Sequence, residues 1–236
     1  MSEPGGTKAY RKSWGAEFDE NGGLQVRIWA PEAKRPKVDL AGSEYDMDKD
    51  GEGWFSAVLP AEPGMAYSFV LDDGLKIPDP AARAQQGDVH GPSLVVDPTA
   101  YQWQMPDWRG RPWHEAVIYE LHIGTFTAEG TFLAAIDKLP HLARLGVTAI
   151  EIMPVAQFAG NRGWGYDGVL LYAPHRAYGA PEDMKALIDA AHANGLMVLL
   201  DVVYNHFGPD GNYLPRLAPA FFHEERHTPW GGGDRL

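Results

Sequence analysis

Residues 199–214 read LLDVVYNHFGPDGNYL. The stretch starts as an apolar strand and finishes in Asp201, Asn205 and His206 before breaking at Gly208-Pro209. Folding alone gives little reason to end a buried strand in those groups, whereas a binding site gives a strong one. The apolar part belongs to LMVLLDVVY (196–204), which is the third run of its kind after AVIYELHI (116–123) and VTAIEIMPV (147–155). Each run has the length and β-branched content of a buried strand.

Helical patterns separate the three runs. Thr131 is a predicted N-cap, Phe132, Ile136 and Leu139 follow at helical spacing, and Gly146 ends the unit. Pro140 is expected to kink or restart that helix. Pro181 stands at a first helical position, with Glu182 and Asp183 suited to the positive end of the helix dipole. Met184, Leu187, Ile188 and Ala191 make its apolar stripe, and Gly195 closes it. Strand, helix, strand, helix, strand predicts parallel pairing with right-handed crossovers. A doubly wound sheet and a (β/α)8 barrel both begin this way. No GxGxxG or Walker pattern follows a strand, which disfavours nucleotide binding. In a barrel, chemistry lies at the C-terminal strand ends and in the loops after them. His122, Pro154, the Asp201-to-His206 cluster and the long loop from Ala156 to Ala180 all fall there.

Upstream the pattern is all-β. LQVRIWAP (24–31) alternates, with Val26 and Ile28 on one face, and VDLAG (38–42), WFSAVL (54–59) and AYSFVL (66–71) follow. Turn signals stand at KDGEG (49–53) and DDG (72–74). This spacing predicts a β-sandwich over 1–98, ending near VVDP (95–98). Residues 99–115 hold four aromatics and no period, so they are expected to be a packed connector. Residues 116–236 are expected to form the α/β part.

With 236 residues and 44% apolar content, the chain can bury a sizeable core. A net charge of −12 disfavours nucleic acid and anionic membranes as partners. There is no cysteine, hence no disulfide or thiolate site, which fits a reducing cytoplasm. No run approaches a membrane span, and MSEPGGTKAYRKS lacks a signal peptide's apolar core. The histidines of HFG and HEERH are expected to lie outside any zinc motif. Among eight tryptophans, Trp164 in RGWGYDG and Trp230 in TPWGGG occupy Gly-rich settings. Aromatic rings beside hydrogen-bonding groups suit a pyranose, which has apolar faces and a polar rim.

YELHIGTF (119–126), GVTAIEIMPV (146–155), RGWGYDG (162–168) and DVVYNH (201–206), in this order, resemble the α-amylase superfamily of glycoside hydrolases. Within it, NHFGPDGNYL (205–214), HIGTFTAEGTF (122–132) and VHGPSLVVDP (89–98), followed by Tyr101, Trp103 and Trp108, resemble the maltooligosyltrehalose trehalohydrolase family. The resemblance implies a β-sandwich followed by a (β/α)8 TIM barrel, of which this chain holds the first three strands. It implies hydrolysis of the α-1,4 bond next to the terminal trehalose of maltooligosyltrehalose, with no cofactor. Retaining hydrolysis of this kind uses two carboxylates roughly 5 Å apart. The family places its nucleophilic Asp after the fourth strand, its acid/base Glu after the fifth and a further Asp after the seventh. None of these motifs is present, so the nucleophile and the acid/base are expected beyond Leu236 and no catalytic residue is expected here. About 120 residues follow Glu115, against about 250 for a closed barrel. The reading is therefore of an N-terminal portion, inactive alone, with an open sheet edge.

The resemblance carries over substrate-side roles. Tyr166 stacks on the sugar next to the cleaved bond, His206 bonds a hydroxyl of that sugar, and Asp201 orients an arginine from the fourth-strand motif. Asp167 is either a turn residue or a sugar ligand, and Trp164 lines the cleft or braces its loop. Asn205 is structural at the site. Some members hold Ca²⁺ with this Asn, but no acidic cluster here requires a metal. Glu120 and Glu151, within strands, are read as a structural carboxylate pair. Branching or debranching enzymes and a non-catalytic glucan-binding fragment stand as alternatives.

Overall fold

The computed structural model describes residues 9–228 and 231–234, with side chains as far as Phe222. Trp230 lies outside the described residues, and so does Leu236, the position beyond which the catalytic carboxylates are expected. The chain opens with strands β1 (Gly15–Phe18), β2 (Leu24–Trp29), β3 (Lys37–Leu40), β4 (Ser43–Asp46), β5 (Asp48–Lys49), β6 (Trp54–Leu59), β7 (Ala66–Val70), β8 (Lys76–Ile77) and β9 (Ser93–Leu94). It continues through β10 (Ile118–Leu121), helices α1 (Ile123–Phe126), α2 (Phe132–Ile136) and α3 (Leu139–Leu145), then β11 (Ala149–Ile152), β12 (Ala156–Gln157) and β13 (Leu170–Pro174). Helix α4 (Pro181–Ala193), β14 (Met197–Leu200), α5 (Leu214–Leu217), β15 (Phe222–Thr228) and β16 (Gly231–Asp234) complete it. Two compact units result: 11–97 with 156–173 and 203 onward, and 98–155 with 174–202.

The first unit holds two antiparallel sheets, ordered β1-β2-β6-β5 and β4-β3-β7-β8, with β9 also on β7. Alternation in β2 buries Leu24, Val26 and Ile28 and exposes Gln25. Those residues and Phe55 and Leu59 of β6 share one core with Val38, Leu40, Tyr67, Phe69 and Ile77 from the other sheet. The KDGEG turn needs Gly53, because φ is +84° and a Cβ would lie 2.8 Å from Pro31. β4, SEYD, escapes a hydrophobic reading because it is an exposed polar strand at a sheet edge. A buried polar cluster ties β1 to residues 79–83. Glu17 accepts from Arg83 at 2.5 Å, and Asp79 accepts from the Tyr67 hydroxyl at 2.7 Å and Ala81 N at 2.8 Å. Burial pushes the Asp79 carboxyl above the usual carboxylate range.

In the second unit β10, β11 and β14 pair in parallel, in that order. The Thr131 hydroxyl caps α2 by accepting from Ala134 N at 3.2 Å. Pro140 restarts the chain as α3, and Gly146 ends that helix at φ +90°. Helix α4 starts at Pro181. Ala180 has no side-chain acceptor, so only the reciprocal half of a capping box forms, Ala180 N to Asp183 Oδ2 at 2.8 Å. Asn194 is its C-cap and Gly195, at φ +72°, turns the chain away.

Three expectations need correction. The run 116–123 is a strand only from Ile118, and Val117, Ile118 and Tyr119 are exposed rather than buried. The run 196–204 pairs only through Leu200, and Leu200 (44%) and Val202 are exposed. Both strands pair on one side only among the described residues, whereas central β11 is buried at all but half-buried Glu151. The stretch from Ala156 to Ala180 is not a plain loop, since β12 and β13 pair within it.

Residues 99–115 lie on α4 through one carboxylate. Asp189 is buried and accepts from the Tyr101 hydroxyl (3.0 Å), Gln104 N (2.7 Å) and Met105 N (2.9 Å). Burial, then the bond to Asp189, pushes the Tyr101 hydroxyl up to about 12. Trp108 stacks on His192 at 4.8 Å between ring centroids, and burial lowers the His192 pKa. Asp189→Ala strands two backbone donors and should cost about 3 kcal/mol in urea unfolding. Tyr101→Phe removes one hydroxyl and should cost about 1 kcal/mol.

Candidate substrate-binding site

The parallel sheet sets His122, Met153 and Asp201 level at one end, because each follows a strand and Leu121, Ile152 and Leu200 are in register. The ladder runs one step further, Met153 N to Leu121 O at 3.0 Å and Asp201 N to Ile152 O at 2.9 Å. The sequence therefore puts Asp201 where a strand gives way to a loop. Its backbone is held and its side chain half-buried.

His122 has aromatic and imidazole company. Its Nε2 lies 3.2 Å from the Tyr178 hydroxyl and its Nδ1 3.3 Å from Thr125 Oγ1. Burial pushes the Tyr178 hydroxyl up to about 12, so it keeps its proton. His175, fully buried, packs its ring 5.3 Å from that of Tyr178 and accepts from Ala177 N at 3.1 Å through Nδ1. Sequence reasoning named His122 alone. Nothing in APHRAYG separates Tyr178 and His175 from ordinary core aromatics.

In the other compact unit, the loops carrying RGWGYDG and NHFG meet. His206 Nε2 donates to the Tyr166 carbonyl at 2.9 Å, and Gly208 N to the Gly168 carbonyl at 3.1 Å. A carbonyl only accepts, so Nε2 carries a proton. A hydroxyl approaching that nitrogen would have to displace the carbonyl. The glycines permit the approach. A Cβ on Gly208 would lie 2.1 Å from Asp167 O, on Gly168 2.7 Å from the Ala156 Cβ, and on Gly163 2.8 Å from the Phe158 ring. Trp164 is 78% exposed and Tyr166 39%. Asp167 is half-buried in a turn, and Asn205 is exposed. Tyr166 and His206 are thus brought together, with Trp164 and Asp167 on the same loop as Tyr166. Asp201 belongs to the other unit. A loop with two exposed rings, bonded through its backbone to an imidazole, offers groups that suit the apolar face and polar rim of a sugar.

Glu120 and Glu151 are direct register partners on β10 and β11. Like charges placed opposite one another destabilise a strand pair. Among the described residues, no group of three or more His, Cys, Asp or Glu could hold a metal ion. HEERH (223–227) does spell H-E-x-x-H, which corrects the expectation that its histidines lie outside any zinc motif. The chain there is strand β15, in which residues four apart are separated by about 13 Å, whereas that zinc motif needs a helix to bring its two histidines to one ion.

The family profile described as "Alpha amylase, catalytic domain" matches residues 69–220. The chain belongs to the α-amylase family. It is 51% identical over 211 residues to the malto-oligosyltrehalose trehalohydrolase of Deinococcus radiodurans, covering 89% of this chain and 35% of that protein. It is 46% identical over 221 residues to the enzyme of the same name from Saccharolobus solfataricus, covering 93% of this chain and 39% of that one. A crystal structure of a putative alpha amylase from Salmonella typhimurium superposes with a TM-score of 0.93 at 60% identity, covering 95% of this chain and 39% of that one. The resemblance to trehalohydrolases stands on these relatives. The chain spans little more than a third of the length of the curated relatives it matches.

The two kinds of glycine in this member of the α-amylase family should respond differently. Gly208→Ala drives a methyl into the 167 carbonyl and should cost about 3 kcal/mol. Gly160→Ala meets nothing within 4 Å and should cost about 1 kcal/mol, for its φ of +80° alone. Urea midpoints at constant m-value check both.

Proposed function

We propose that this chain is the substrate-binding front part of a glycoside hydrolase. The enzyme cleaves the α-1,4-glucosidic bond next to the terminal trehalose of maltooligosyltrehalose and releases trehalose. The observation that carries this is the 2.9 Å bond from His206 to the Tyr166 carbonyl, which joins the two motif loops. It occurs in a chain 46–51% identical to proteins named malto-oligosyltrehalose trehalohydrolase.

In this reading Tyr166 and Trp164 receive the sugar faces, Asp167 meets a hydroxyl, and His206 meets one in exchange for the Tyr166 carbonyl it holds without ligand. Asn205 supports the loop, and Asp201 orients a positive side chain supplied by a later strand. The nucleophile and the acid/base are carboxylates of strands that follow β14 in a complete barrel, at positions beyond Leu236. Binding and bond cleavage are then separable.

The finer fold reading is a β-sandwich followed by the first three strands of a (β/α)8 barrel. Its supports are the core shared by two antiparallel sheets and the parallel order β10-β11-β14. We assign 1–98 to the sandwich, 99–115 to the connector and 116–236 to the barrel part. The compact units cross these limits because 156–173 and 203 onward cluster with front residues. Among the described residues no helix is long and apolar enough to cross a membrane. A cytoplasmic setting is the reading of a chain without cysteine.

The test is a titration of the chain with maltoheptaose, followed by tryptophan fluorescence. Tyr166→Ala and His206→Ala should each weaken binding about tenfold, for about 1.4 kcal/mol of lost stacking or hydrogen bonding. The chain should release no trehalose from maltooligosyltrehalose. Absence of binding by the unsubstituted chain, or indifference to both substitutions, overturns the assignment. Trehalose release overturns the separation of binding from cleavage.

A further inference from the structure

VHGPS (89–93) carries part of the family resemblance, yet it lies outside the loops that hold the sugar-binding groups. Val89 is fully buried and packs with Val169, Leu170 and Ala173. A Cβ on Gly211 would lie 2.3 Å from Val89 Cγ2. Residues 85–93 therefore form a floor under both motif loops. Gln85 stiffens that floor, its Nε2 donating to the carbonyls of Asp88 (3.0 Å) and Gly91 (2.6 Å). The Asp88 carboxylate accepts from His90 N at 2.9 Å.

The next side chain reaches the His206 loop. His90 Nε2 lies 3.0 Å from Asp210 Oδ1, and His90 Nδ1 lies 2.6 Å from the Tyr213 hydroxyl. The two rings meet edge to face at 5.9 Å. The carboxylate only accepts, so Nε2 carries the proton. In the neutral ring Nδ1 then accepts from the Tyr213 hydroxyl, and in the cationic ring it donates to the same oxygen. Both states leave the two bonds in place. Burial, then the charges of Asp210 and Asp88, hold the Tyr213 hydroxyl above its ordinary range, which keeps it protonated.

We infer that His90 is a positioning residue: from outside the barrel part it clamps Asp210 and Tyr213, and so holds the 203–214 loop where His206 meets Tyr166. The inference rests on the reading of His206 and Tyr166 as sugar-binding groups. The clamp acts through the loop and touches no substrate.

Hydrogen exchange on the full chain tests it, alongside the maltoheptaose titration. His90→Phe keeps a ring and loses both bonds. Tyr213→Phe loses one, and His90→Gln can keep the bond to Asp210. In His90→Phe the amides of 203–212, with Gly208 as reporter, should exchange about tenfold faster while those of β2 and β6 stay unchanged. Affinity for maltoheptaose should fall about tenfold. Tyr213→Phe and His90→Gln should fall between. Unchanged exchange at 203–212 in His90→Phe overturns the clamp, as does a rise spread equally over β2 and β6. Faster loop exchange with unchanged affinity overturns the link from clamp to ligand. If the unsubstituted chain binds no maltoheptaose, the functional reading falls, and the clamp is judged from exchange alone.

Discussion

The arrangement of the motif loops in the first compact unit depends on the seating of Val89 in the space left by a missing side chain. Gly211 has no Cβ, and Val89 fills the place one would occupy. Burying a valine fully contributes about 1.5–3 kcal/mol, and here the same side chain packs against Val169 and Leu170 as well. Three stretches distant in sequence converge on it: 85–93, 156–173 and 205–214. Two of them, 85–93 and 205–214, are short of regular structure, and 156–173 adds only the short strand pair of β12 and β13. Loops far from a sheet's interior are ordinarily where order is least. Here two of them are given a floor, and the backbone bond of Gly208 and the ring bond of His206 complete what packing begins.

The parallel sheet of the other unit shows the same economy in a different form. Register places the residue after each strand at a common level, so the strand ends present groups together without any loop being long. Asp189 then holds the connector against α4 by taking three donors at once. A buried carboxylate is tolerable when its lone pairs are occupied and costly when they are not. Its value is that it orders two backbone amides that no sheet or helix satisfies.

What was legible in the sequence followed from local rules. Thr131, Gly146, Pro181 and Gly195 act within one turn of the helices they bound, so their effects need no tertiary context. Alternation in β2 was legible because one face meets a core and the other meets water. β4 and β5 were not, because both faces of an edge strand can be polar. The runs 116–123 and 196–204 misled in the opposite direction. A continuous apolar run predicts a strand covered on both sides, and it does not say which residues cover it. β11 has a strand on each side and is buried except at half-buried Glu151. Among the described residues β10 and β14 have one each and leave Ile118 and Leu200 exposed.

The candidate site divides in the same way. Tyr166, Asp167 and His206 were nameable because RGWGYDG and DVVYNH resemble motifs of a known family. The partners that fix them were not, because their bonds are non-local. His206 is held by a backbone carbonyl, which has no residue type to read. His90 stands more than a hundred residues before Asp210 and Tyr213, and Tyr178 and His175 look like core. A motif names the groups that meet a ligand, while positions held by distant backbone and glycine space leave only a weak trace. Glycine is the exception that can be read. Gly163, Gly168, Gly208 and Gly211 each stand where an added Cβ would lie under 3.0 Å from a neighbouring residue. Of these only Gly208 has its space taken by the other motif loop, at the Asp167 carbonyl.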